Sequence, residues 1–281
     1  MAEMFPRTTV GGVSVPRLII GTNWFQGASH TTVAKDNLIR GYQTRERLAD
    51  ILTVFLDRGV DAILWVPTPE LDLALRDAEQ RAGRPMIQFI NPWFNLVPGG
   101  PADEEPDVVL DRCRERGATF CLPHMRVTDA LLDRRHEVIC DLDRYTQMIR
   151  ERGMIPGLST HAPETVIYAD RQGADVETYI QIYNAAGFLM HIEVDWVMRL
   201  IRDARKPVMV IKPMAAGRLH PLVGLSFVWN TIRVQDMVCA GTMSPDEAKE
   251  IVDLSLDILN RRNADNPLQV TRSQYTFLGT G

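Results

Sequence analysis

The apolar positions of this chain fall into two rhythms that alternate along its length. Short, nearly continuous apolar runs recur, and between them lie longer stretches with apolar residues every three or four positions. The runs read as eight strands at Leu18–Gly21, Ala62–Val66, Met86–Ile90, Thr119–Leu122, Ile155–Leu158, Tyr179–Tyr183, Val208–Ile211 and Met237–Ala240. Runs that are apolar at nearly every position suit parallel strands covered on both faces. The intervening stretches read as amphipathic helices. In 44–59, Leu48, Ile51, Leu52, Phe55 and Leu56 recur at helical spacing, Thr44 can cap the start and Gly59 can end it. Thr68 precedes Pro69 as cap and first helical residue. Ser244, Pro245 and Glu247 form a capping box before a broad apolar face.

Eight strand–helix units predict an α/β chain folded as a (β/α)8 TIM barrel, with 1–281 as a single domain. A doubly wound open sheet is the runner-up, weakened because no G-x-G-x-x-G follows the first strand. Gly11-Gly12 lies between two β-prone runs, which is a tight-hairpin signal. That N-terminal β-hairpin is placed to plug the bottom of the barrel.

Composition narrows the setting. A formal net charge of −5 argues against a nucleic-acid or anionic-membrane partner. No run of about 18 apolar residues is present, and the N-terminus lacks an apolar signal core, so a cytoplasmic location is expected. Cys113, Cys121, Cys140 and Cys239 are scattered and form no CxxC pair, as expected of reduced thiols.

Several segments then align with one family. "VPRLIIGTNWF", "GLSTHAPETV", "IQIYNAAG", "KPMAAGRLHP" and "VCAGTMSPDEAKEIV" occur in the order of the first, fifth, sixth, seventh and eighth strand motifs of the aldo-keto reductases. The chain resembles that family over nearly its whole length. The resemblance implies a nicotinamide cofactor, NADP(H), with Ser159 and Gln181 at the nicotinamide amide and Gly241, Thr242 and Ser244 in the phosphate turn. Thr160 and Ile251 replace two Asn that the family usually places at the cofactor. It also implies a catalytic Tyr, Lys, Asp and His, and here the match fails. Leu64 stands for the Asp, Pro69 for the Tyr, and Ile90 and Asn91 for the Thr-Lys pair, so only His124 survives. Without the Tyr no evident group protonates a developing alkoxide.

The active site of such a barrel lies at the C-terminal ends of its strands. Those ends carry Asn23, Trp24, Trp65, Asn91, Trp93, His124, His161, Tyr183, Asn184, Lys212 and Thr242. His124 and His161 follow neighbouring strands, and strands about 5 Å apart bring two imidazoles within reach of one metal ion or one substrate. The bland alternative makes them an inherited orienting residue and an unrelated helix start. Lys212 reads as a Schiff-base nucleophile, an anion anchor or a snorkelled surface lysine. His191 and Glu193 offer further ligands but read better as a helix start, and His136 and His220 read as solvated or turn residues. His30 sits in a long first loop able to cover the mouth, and Tyr275 and Phe277 offer a pocket wall or a homo-oligomer contact.

The expectation is a divergent barrel enzyme of non-redox type, a lyase, isomerase or hydrolase, acting on a small polar carbonyl- or sugar-like molecule. In it His124 and His161 serve as acid–base groups or as ligands of a divalent metal, with Lys212 or Asn184 at an oxyanion. One alternative is an NAD(P)H-dependent reductase that recruits Tyr183 as proton donor. Another is a non-catalytic ligand-binding barrel.

Overall fold

A computed structural model describes residues 3–264, apart from 101 and 103. Tyr275 and Phe277 lie outside the described residues. The chain opens with an antiparallel hairpin, β1 (Arg7–Val10) and β2 (Val13–Pro16). Gly11 and Gly12 take φ of +52° and +82° at its turn, the left-handed conformation a two-residue hairpin link requires. The barrel strands follow: β3 (Leu18–Gly21), β4 (Ala62–Trp65), β5 (Ile87–Ile90) and β6 (Phe120–Cys121). After a small hairpin, β7 (Leu132–Asp133) and β8 (Val138–Ile139), come β9 (Ile155–Pro156), β10 (Leu158–Thr160), β11 (Tyr179–Ile182), β12 (Val208–Ile211) and β13 (Met237–Ala240).

The expected fifth strand, Ile155–Leu158, is divided at Gly157 and extends to Thr160. β9 pairs with β6 and β10 pairs with β11, so the two halves of one passage close the cylinder. The Gly157 N–H donates to Cys121 O at 3.2 Å while the Leu158 N–H turns to Thr178 O at 3.1 Å. A Cβ at 157 would meet Leu122 Cγ and Thr178 O, each at 2.8 Å, so only glycine lets the strand change partners there. The result is the eight-membered parallel barrel read from the sequence.

Strand alternation sorts the side chains into two cores. Ile19, Phe89, Phe120, Leu122, Ile180, Met209 and Met237 fill the barrel interior together with Val10 and Val15, so the hairpin does plug it. Phe89 and Phe120 stack there at 4.1 Å between centroids. Leu18, Ile20, Ile63, Tyr179, Tyr183 and Val210 face the surrounding helices. Helices α1 (Val33–Tyr42), α2 (Arg45–Asp57), α3 (Pro69–Ala82), α4 (Pro106–Glu115), α5 (Met125–Thr128), α6 (Leu142–Glu151), α7 (Glu164–Gln172), α8 (Val194–Asp203), α9 (Pro221–Thr231) and α10 (Pro245–Leu259) complete the shell. Thr44, Thr68 and Ser244 cap α2, α3 and α10 through Arg47 N, Leu71 N and Glu247 N, as their sequence context dictates. Among the described residues no helix is long and apolar enough to cross a membrane.

Candidate active site

A cavity of about 590 Å³ opens at the C-terminal ends of the barrel strands. Its wall includes Asn23, Trp24, His30, Trp65, Asn91, His124, Ser159, His161 and Lys212, and among the described residues no Asp or Glu. Two basic side chains, Lys212 and Arg126, border it, with the Arg126 guanidinium 4.5 Å from the centre of the Trp93 ring.

His124 follows Pro123 at the end of β6 and caps the one-turn α5. Its Nδ1 accepts the Arg126 N–H at 3.3 Å, which places the ring proton on Nε2. Burial, then the charges of Arg126 and Lys212, push the imidazole down to about 4. His161 follows β10. Its own N–H donates to Asp129 Oδ2 at 3.1 Å, and Asp129 Oδ1 accepts from the Thr160 hydroxyl. Burial, then Lys212 and His124, push His161 down to about 4 as well. Both rings are therefore neutral at pH 7. Asp129 itself is held above its ordinary range by burial. This carboxylate ties the β6 excursion that carries His124 to the loop that carries His161.

Lys212 directly follows β12 with φ of +59°, in the left-handed region that costs a non-glycine residue about 1 kcal/mol or more. Its side chain is half-buried, burial lowers its pKa, and no carboxylate pairs with it among the described residues. His30 reaches the same rim from the first loop. Its Nδ1 lies 3.1 Å from Ala28 O, so Nδ1 carries the proton and Nε2 keeps a lone pair. Asp36 anchors this loop by accepting the Ser29 N–H and hydroxyl, and Arg218 donates to His30 O. His30 stands where the long first loop was expected to cover the mouth, and Asp129 is the member that the sequence reading passes over.

Other expected residues lie elsewhere. Tyr183 shares the outward parity of Tyr179, donates to Thr231 Oγ1 at 3.0 Å and has its hydroxyl pushed up by burial, so it does not stand at the cavity as a proton donor. Asn184 spends its amide on Phe188, donating to its O and accepting its N–H, and is not free for an oxyanion. Gln181 is fully buried outside the cavity wall, its Nε2 donating to Ile182 O at 3.3 Å. Thr242 is buried outside the wall, while Trp93 is exposed and touches the site only through Arg126.

The implied cofactor meets a mismatch at its anionic end. Met243 N–H, in the turn expected to hold phosphate, already donates to Glu247 Oε2 at 2.6 Å, and the Ser244 hydroxyl accepts the Glu247 N–H. Asp246 and Glu247 place two carboxylates in that first helical turn, where a pyrophosphate would be repelled. Ser159 and Gly241 do border the cavity, but the phosphate turn and Gln181 do not fit a nicotinamide dinucleotide. Nor do the residues fit a divalent metal: no group of three His, Cys, Asp or Glu able to hold one occurs among the described residues, and Lys212 charges the space beside both imidazoles.

No protein-family model and no curated protein sequence matches the chain. Solved structures do. A candidate aldo-keto reductase from Pseudomonas aeruginosa aligns with a TM-score of 0.65 at 17% identity, covering 92% of this chain and 98% of that one. The fold is that of the aldo-keto reductases. A further aldo/keto reductase, from Brucella melitensis, aligns at 0.58 with 12% identity over 94% and 96% of the two chains. A truncated 3-deoxy-D-arabino-heptulosonate 7-phosphate synthase from Thermotoga maritima aligns at 0.51 with 12% identity over 92% and 90%. In this aldo-keto reductase-like barrel, Leu64 and Asn91 border the cavity where the family's motifs lead one to expect Asp and Lys.

Proposed function

We propose that this barrel is a non-redox enzyme of the lyase or isomerase type, moving protons next to the carbonyl of a small polar substrate. A shared fold does not choose between reduction and other chemistry, so the reading rests on the site. One observation carries it: His124 and His161, both neutral at pH 7, border one cavity whose wall also holds an amine without a counter-ion. His124 presents Nε2–H, a donor suited to a carbonyl oxygen that gains negative charge. His161, fixed from behind by Asp129, is the partner that takes the adjacent carbon's proton. Imidazoles titrating near 4 are weak bases in the free protein. An anionic ligand that offsets the Lys212 charge removes one of the causes that hold both rings low, while burial continues to act.

Exchange of carbon-bound protons for deuterium tests this reading. In D2O, pyruvate, dihydroxyacetone and glyceraldehyde 3-phosphate are followed by NMR with the wild-type protein and with His124→Ala and His161→Ala. Exchange on at least one probe is expected, falling about 10²- to 10⁴-fold in each variant. Equal rates in all three proteins, or none in the wild type, sink the proposal.

A further inference from the structure

We propose that Lys212 is a covalent catalytic group whose amine condenses with the carbonyl carbon of an anion-bearing substrate to form an imine in the barrel mouth. The inference rests on the proton-transfer reading above and adds to it a nucleophile and a substrate class. The chain holds only four lysines, Lys35, Lys206, Lys212 and Lys249, among 31 basic residues. Three of them are accounted for at the surface. Lys206 pairs with Glu177, Lys249 with Asp253, and Lys35 lies over the Trp24 ring. Lys212 alone borders the cavity, half-buried and unpaired among the described residues. An arginine there would be a permanent cation, whereas a lysine can release its proton and attack.

The backbone holds this residue in place. Lys212, Ala215 and Ala216 all take positive φ, and Pro213 fixes the bond between them. Strain of this kind survives only where the surroundings over-determine it, and it gathers at functional sites. Two further observations point to the ligand. Among the described residues the wall carries the charges of Lys212 and Arg126 with no carboxylate of its own, a lining that suits an anionic substrate. Trp65, 1% exposed and part of the same wall, has a buried indole N–H with no partner among the described residues.

The step balances without any oxidant or reductant. The Nζ lone pair forms the C–N bond while the C=O π pair moves to oxygen, which takes a proton from His124 Nε2–H. The carbinolamine then loses its oxygen as water, both water hydrogens coming in net from the amine by way of the imidazoles. In its protonated form the imine draws electrons from a bond on the neighbouring carbon, which is the bond His161 helps to break.

Borohydride trapping decides the matter. The full chain is incubated with pyruvate, with glyceraldehyde 3-phosphate or with uncharged butanone, reduced with sodium borohydride and mapped by peptide mass spectrometry. Burial lowers the pKa of the Lys212 amine and so raises its free-base fraction near neutrality, so Lys212 should be labelled in preference to the other three lysines. Labelling by pyruvate or by the triose phosphate, and not by butanone, tells whether a carboxylate or a phosphate is read. Lys212→Arg, which keeps the charge, should lose the adduct and the proton exchange together while remaining folded by circular dichroism. Labelling spread evenly over the four lysines, or absent from Lys212, overturns the imine. Deuterium exchange that persists in Lys212→Arg without any adduct also overturns it and leaves the histidine chemistry standing. An adduct on Lys212 with no exchange in any protein overturns the histidine chemistry instead.

Discussion

Acidification should unfold this protein through two particular rings. His124 and His161 each fall from an ordinary value of 6.5 to about 4 in the folded chain, mainly because burial disfavours the charged form. The difference, 6.5 − 4 = 2.5, corresponds to about 3 kcal/mol per ring at about 1.4 kcal/mol per unit. Both rings remain partly open to solvent, and screening brings this to about 1–2 kcal/mol each. The unfolded chain binds protons on these rings first, so stability is full above pH 6.5 and drains as the pH falls toward 4. Urea unfolding followed by tryptophan fluorescence, at steps from pH 7.5 to 4.5, measures the loss. The wild type should lose about 2–4 kcal/mol more across that window than the double variant His124→Gln, His161→Gln, because carboxylates elsewhere titrate identically in both. Parallel curves would refute the burial and charge argument on which the site rests.

Three further outcomes follow from the geometry. Millimolar NADPH should leave the fluorescence of cavity residues Trp24 and Trp65 unquenched after inner-filter correction, and saturable quenching would show that the Glu247-closed turn can open to phosphate. Gly157→Ala should destabilise by about 1–3 kcal/mol and speed hydrogen exchange at the Leu158 amide, since the new Cβ meets Leu122 and Thr178 at 2.8 Å; unchanged stability would mean that the strand switch is soft. Asp129→Ala should cost about 1–3 kcal/mol by leaving the His161 backbone N–H unsatisfied, and the NMR-titrated pKa of His161 should move as its loop loosens; an unmoved titration would detach Asp129 from the site.

The barrel was legible because burial on both faces leaves strands as bare apolar runs, and all eight are where those runs stand. The fifth was bounded too early, since Gly157 interrupts the ladder without interrupting the passage. His124 was legible as well, because Pro123 ends the run and strand ends face the mouth. Tyr183 and Gln181 were misplaced for a physical reason that parity could have supplied, and Asn184 because its amide closes on Phe188. Tyr179, Gln181 and Tyr183 alternate with Ile180, and it is Ile180 that borders the cavity. Asp129 escaped because its position depends on long-range ties to Thr160 and His161 that no local pattern encodes. The phosphate turn matched in letters yet is closed by Glu247, two residues beyond the Pro245 that made the match persuasive.

The central claim is that two neutral imidazoles in the barrel mouth move protons beside a carbonyl without a nicotinamide. The most direct measurement is NMR-detected deuterium incorporation into pyruvate, dihydroxyacetone and glyceraldehyde 3-phosphate by purified protein with no added nucleotide. The account predicts enzyme-dependent exchange on at least one of them that collapses in His124→Ala and in His161→Ala. Exchange that appears only when NADPH is added, or that both variants retain, would contradict it.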